Sequence, residues 1–105
     1  MHEGYTINRH DALCGVVLEG DLTAALVPGL QAAVKQQLAA GATDVEVNLG
    51  KTVMLDSSGI GLLIAIANSL SRSGGHIRVV NVSKDIGRLL QTMRLTARLD
   101  VREAS

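Results

Sequence analysis

Apolar and polar residues alternate with period two in some stretches of the chain and recur at helical spacing in others. "GYTINRH" (4–10) and "LCGVVLEG" (13–20) read as strands, with Asp11-Ala12 as a hairpin turn between them. Residues 20–27, "GDLTAALV", read as a loop entering a helix. Pro28 suits a first helical position, where its missing N–H costs nothing. Leu30, Ala33, Val34 and Leu38 then recur at helical offsets, and Gly41 is a natural stop. In "TDVEVNL" (43–49), Val45, Val47 and Leu49 alternate with Asp44, Glu46 and Asn48, the mark of a half-buried strand that Val53-Met54-Leu55 extends or follows. Ile60, Leu63, Ile64, Ala67 and Leu70 return to helical spacing, with Asn68, Ser69 and Arg72 opposite, until Gly74-Gly75. "HIRVVNV" (76–82) is a further strand. Ser83 caps "KDIGRLLQTMR", with Asp85 in the first turn where the helix dipole favours an acid, and "ARLDV" (97–101) is a last short strand.

The order β-β-α-β-α-β-α-β predicts an α/β domain. Its sheet is mixed but mostly parallel, with right-handed crossovers and one antiparallel strand from the N-terminal hairpin. A length of 105 residues allows one domain with a modest core, spanning 1–105. Hydrophobic residues make up 47% of the chain, yet Tyr5 is the single aromatic, so the core is aliphatic. Ten basic and ten acidic residues cancel, which argues against a nucleic-acid partner that needs a basic face, and stacking platforms are missing as well. No apolar run reaches the roughly 18 residues of a membrane helix, and "MHEGYTINRHDALCG" does not resemble a signal peptide. Cys14 has no partner cysteine for an internal disulfide and reads as a small core residue. A cytoplasmic protein is the expectation.

Candidate chemistry centres on "LDSSGIG" (55–61), a polar step inside the most hydrophobic stretch of the chain. A strand entering a helix through Asp56-Ser57-Ser58-Gly59 puts hydroxyls near four unpaired helix N–H groups. Local physics alone reads Ser57 or Asp56 as an N-cap worth about 1 kcal/mol. A nucleophilic serine needs a base, and His2, His10 and His76 fall near the N-terminus or at loop and strand-start positions; His76 reads as a solvated edge residue. There is no G-x-S-x-G elbow, no ligand spacing for a metal and no phosphate-binding glycine loop, so no cofactor or metal is expected and the chain does not read as an enzyme.

The segment "NLGKTVMLDSSGIGLLIAIANSLSRSGGHIRVVNVSKDIGRLLQTMRL" resembles the STAS domain family of anti-sigma factor antagonists. The resemblance rests on Asn48-Leu49 at a strand end, Asp56-Ser57-Ser58-Gly59-Ile60-Gly61, Gly74-Gly75 before a strand, and Leu89-Leu90 in the last helix. Upstream, Gly20, Asp21, Leu22 and Pro28 match the family's Gly-Glu-Leu-Asp segment and helix-starting proline, so the likeness spans about residues 5–101. It implies that Ser58 is a phosphoacceptor. It further implies that the unmodified form binds an anti-sigma factor with serine kinase activity and frees the sigma factor, that phosphorylation ends this binding, and that a metal-dependent serine phosphatase restores the hydroxyl. Asp21, Thr23, Asp56, Ser57, Gly59, Ile60 and Gly61 are the expected partner-binding residues. Close packing on the sheet is an equal reading of Gly61.

Two acids of the family pattern are replaced here by Thr23 and Asn48, and the chain stops at Ser105 where many relatives carry another helix. Those departures support an alternative: a STAS scaffold in a transporter or signalling complex that switches no sigma factor. The sequence leaves oligomeric state open.

Overall fold

The computed structural model describes residues 4–104, so His2 and Ser105 lie outside the described residues. In chain order the elements are β1 (Tyr5–His10), β2 (Leu13–Leu18), α1 (Val27–Ala39), β3 (Asp44–Asn48), α2 (Ser57–Arg72), β4 (Ile77–Val82), α3 (Lys84–Thr92) and β5 (Val101–Glu103). The alternation seen in the sequence becomes the two faces of one sheet. Cys14, Val45 and Ile77 stand side by side in register, as do Val16, Val47 and Val79, and all six are buried. Between them run Asn8, Gly15, Glu46 and Arg78, exposed or half-buried on the opposite face. On that face Arg78 lies 3.8 Å from Glu46 and 3.4 Å from Asp100. Arg102 first, and Arg78 after it, hold the Asp100 carboxyl below the ordinary carboxylate range.

Strand order is β1-β2-β3-β4-β5, with β1 antiparallel to β2 and the remaining pairs parallel. Each crossover steps to the next strand in the same direction, and right-handed crossovers of this kind bring all three helices to one side. Their buried residues, Leu30 and Val34 from α1, Leu63 and Leu70 from α2, and Ile86 and Leu90 from α3, join the sheet residues in one aliphatic core. An unbroken strand order also contains no point at which the winding reverses, which is where open α/β sheets form ligand crevices. No described helix is long and apolar enough to cross a membrane.

Several boundaries differ from expectation for identifiable reasons. The last strand begins at Val101, not at residue 97, because residues 97–100 form a turn that ends in Asp100 with φ 46°, and only then does the backbone pair Val79 with Val101. Helix α3 stops at Thr92, and Arg94 turns left-handed with φ 60° so that the Leu95 N–H donates to the Leu90 carbonyl. Helix α1 starts at Val27, which puts Pro28 second. β4 is an inner strand, so His76 is not on a sheet edge; it precedes the strand with an exposed ring while its N–H donates to Asp44 Oδ1 at 2.8 Å. Cys14 is wholly buried, and burial pushes its thiol pKa up.

Candidate functional site

β3 delivers the chain to the C-terminal end of the sheet, and a loop of residues 49–56 carries it into α2. Asn48 Oδ1 accepts the Gly50 N–H at 2.8 Å and opens the turn. Thr52, the one buried polar residue described, donates its hydroxyl to the Gly20 carbonyl at 2.7 Å. Asp21 Oδ1 accepts the N–H groups of both Val53 and Met54, each at 2.9 Å. Leu22 then forms a parallel bridge with Leu55. The backbone bonds that join their segments run from Leu22 N–H to the Met54 carbonyl at 3.3 Å and from Asp56 N–H to the Leu22 carbonyl at 3.4 Å. Loop 19–26 and loop 49–56 are thereby tied into one surface.

Asp56 completes it. With extended backbone (φ −87°, ψ 176°) it is the N-cap of α2, and its Oδ1 accepts the Gly59 N–H at 2.9 Å. Its Oδ2 accepts the Ala24 N–H at 3.1 Å from the other loop. Because Asp56 does the capping, Ser57 and Ser58 are the first two residues of the helix with exposed side chains. Asp56→Ala removes the cap and the link to Ala24, and should cost about 1–2 kcal/mol in urea unfolding. Amide exchange quickened at Gly59 but not in β3 would place the loss at this joint; a cost below about 0.3 kcal/mol would contradict it.

The remaining expected site residues divide by burial. Thr23 is half-buried in the loop, and its carbonyl accepts the Leu26 N–H at 3.0 Å. Gly59 and Ile60, also expected at the partner surface, are buried. A Cβ on Gly59 would lie 2.8 Å from both Leu22 Cγ and the Leu22 carbonyl oxygen, so Gly59 is the glycine that permits close packing. Gly61 is the reverse: it is exposed, and a Cβ there would meet nothing within 4 Å. Lying three residues after Ser58 and four after Ser57, it continues the serine face without raising a wall.

His10 pairs with Leu13 at the start of β2, and His76 precedes β4, so both sit at the opposite end of the sheet from Ser58. Clefts of about 350 and 310 Å³ also lie at that far end, around His76, Ile77 and Asp100. Beside the serine surface, Lys51 Nζ meets Glu19 Oε1 at 2.9 Å, and this hydrogen bond, with a second from Thr6, holds the Glu19 carboxyl below its usual range. Sequence reasoning missed Val53 and Met54. Both are exposed at the tip of the loop, and only Leu55 of that apolar trio turns inward.

A family model described as "Mlab, STAS domain" matches residues 5–101. The anti-sigma-B factor antagonist of Staphylococcus epidermidis is 30% identical over 96 residues, covering 91% of this chain and 89% of that protein. A crystal structure from Thermotoga maritima is similar with a TM-score of 0.86 at 19% identity, over 96% of this chain and 87% of that one. SpoIIAA, an anti-sigma factor antagonist and Bacillus cell fate determinant, is similar in both its forms. The unphosphorylated structure gives a TM-score of 0.74 at 22% identity, covering 83% of this chain and 81% of its own. The phosphorylated structure gives 0.79 at 21% identity, covering 96% and 91%. At these identities the solved structures speak for the fold.

Proposed function

The chain belongs to the STAS domain family, and on that premise we propose that it is a cytoplasmic anti-sigma factor antagonist switched at Ser58. The unmodified protein binds an anti-sigma factor that is also a serine kinase, and the sigma factor is released. The kinase transfers the γ-phosphoryl group of ATP to Ser58 Oγ; a P–O bond forms, ADP leaves, and the serine proton passes to a base on the kinase. The modified protein lets go, until a serine phosphatase hydrolyses the ester and regenerates the hydroxyl. The observation that carries this reading is that Asp56 caps α2, which leaves Ser58 exposed in the first turn.

The electrostatics support a switch that spares the fold. A phosphate adds about −1.5 to −2 charges, and at a helix N-terminus a negative charge is favoured by about 0.3–1 kcal/mol. Phosphorylation then acts on the interface, by placing a bulky solvated dianion on the face that Ser57, Ser58 and Gly61 share. Asp56 fixes the loop through its two backbone bonds. Asn48 makes the turn bond that an aspartate would make, so its exchange subtracts charge from the partner surface without altering the turn.

The direct test is incubation with candidate kinase-type anti-sigma factors and ATP, followed by phosphopeptide mapping. Phosphate is expected on Ser58, with modification lost in Ser58→Ala. Equal modification of Ser58→Ala would overturn the site. A non-switching scaffold in a transporter or signalling complex is the second reading, favoured by the two missing acids at Thr23 and Asn48. It predicts stable binding to an assembly subunit that Ser58→Asp leaves unchanged.

A further inference from the structure

Every residue from Thr52 to Asp56 is tethered to the segment of residues 20–24, yet two side chains are left outside. Thr52 is held through its hydroxyl, Val53 and Met54 through N–H groups on Asp21 Oδ1, Leu55 through its bridge to Leu22, and Asp56 through Ala24. Within this fixed loop Val53 is 81% exposed and Met54 63%, the two most exposed large apolar residues described. A lone apolar side chain on a surface needs no explanation. Two consecutive ones, presented by a carboxylate more than thirty positions away, are a different matter.

We propose that Val53 and Met54 form an apolar anchor for the anti-sigma partner, held in position by Asp21 and received by an apolar socket beside the partner's phosphoryl-transfer cleft. This inference rests on the antagonist reading above. Met54 precedes the helix cap by two residues and Ser58 by four, in the same connection. On this proposal, a partner whose cleft reaches Ser58 Oγ meets this tip as part of the same footprint. Because the loop is already ordered by its tethers, docking it sacrifices little conformational freedom. Methionine suits the role: its unbranched thioether fits irregular sockets, and it is enriched at interfaces. Affinity and switching are then separate properties of neighbouring residues, the anchor supplying the first and Ser58 the second. Asp21 is a positioning residue, because its Oδ1 accepts both amides of the loop tip.

Isothermal titration of the full unphosphorylated chain against the serine-kinase anti-sigma factor that modifies Ser58 tests the proposal. Changing Val53 and Met54 together to Ser should weaken binding by about a hundredfold. The melting temperature should stay within about 3 °C, because both side chains already stand in solvent. Asp21→Ala should speed amide exchange at Val53 and Met54 and weaken binding, and Asp21→Asn, which keeps an accepting oxygen, should restore both. Binding of the double variant within threefold of wild type, while Ser58→Asp fails to bind, overturns the anchor and leaves the antagonist reading standing. If no kinase-type anti-sigma factor binds or modifies the wild-type chain, that reading falls and the anchor falls with it. Loss of binding in Asp21→Ala without faster exchange would make Asp21 a direct partner contact and overturn its positioning role.

Discussion

Replacing Leu22 by Ala is expected to destabilise the protein by about 3 kcal/mol, within the 2–5 kcal/mol of other buried Leu→Ala changes. For a domain of this size that corresponds to a fall in melting temperature of about 12–24 °C. Leu22 has no exposed surface, although it lies in a loop that reads as a mere connection. Its side chain fills the space beneath the start of α2, where a Cβ on Gly59 would approach Leu22 Cγ to 2.8 Å. Its N–H and carbonyl bond the backbone on either side of Leu55. Truncation leaves a cavity at the joint of the two loops, and the rigid helix and sheet around it have little freedom to collapse inward. Calorimetry reads the total cost, and hydrogen exchange at Met54, Asp56 and Gly59 reads its location. A cost below about 1 kcal/mol would mean that the joint relaxes around the gap and does not hold the site.

Leu22 also shows which part of the site local patterning can reach. Strands β2, β3 and β4 and all three helices were legible because alternation and helical spacing reflect a single nearby constraint, one buried face. The Asp-Ser-Ser-Gly step was legible as a helix start for the same reason. What the pattern could not convey is the pairing of loop 19–26 with loop 49–56. Asp21 reaches Val53 across 32 positions, and Asp56 reaches Ala24 across 32. Without those bonds Val53-Met54-Leu55 looks like a strand, because an apolar tip and an apolar strand have the same composition. Gly59 and Gly61 likewise look interchangeable in sequence; only the position of Leu22 distinguishes the one packed against it from the one facing solvent. The late start of β5 follows from Asp100, whose left-handed backbone an aspartate tolerates better than most residues and which periodicity does not reveal.

Ser58→Asp should bind the kinase-type anti-sigma factor at least a hundredfold more weakly than the wild type, a loss of about 3 kcal/mol. The same variant should melt within about 3 °C of wild type, because an acid in the first turn of α2 is favoured by the helix dipole. The two measurements together separate a switch from simple unfolding, since a partner lost through a damaged fold would lower the melting temperature in parallel. The size of the binding loss follows from where the charge is placed. In the free protein the introduced carboxylate is solvated, whereas in the complex it must shed water against a surface shaped for a neutral hydroxyl. One carboxylate carries less charge and volume than a phosphate, so the variant sets a lower bound on the effect of the proposed phosphorylation. Ionic strength discriminates the mechanism further. Repulsion between exposed charges is screened over about 3 Å at 1 M salt and would be relieved there, whereas a desolvation cost in a closed interface would persist. Binding of Ser58→Asp at wild-type affinity would end the switch reading, and full recovery of binding in 1 M salt would replace a closed interface over Ser58 with a looser encounter at its rim.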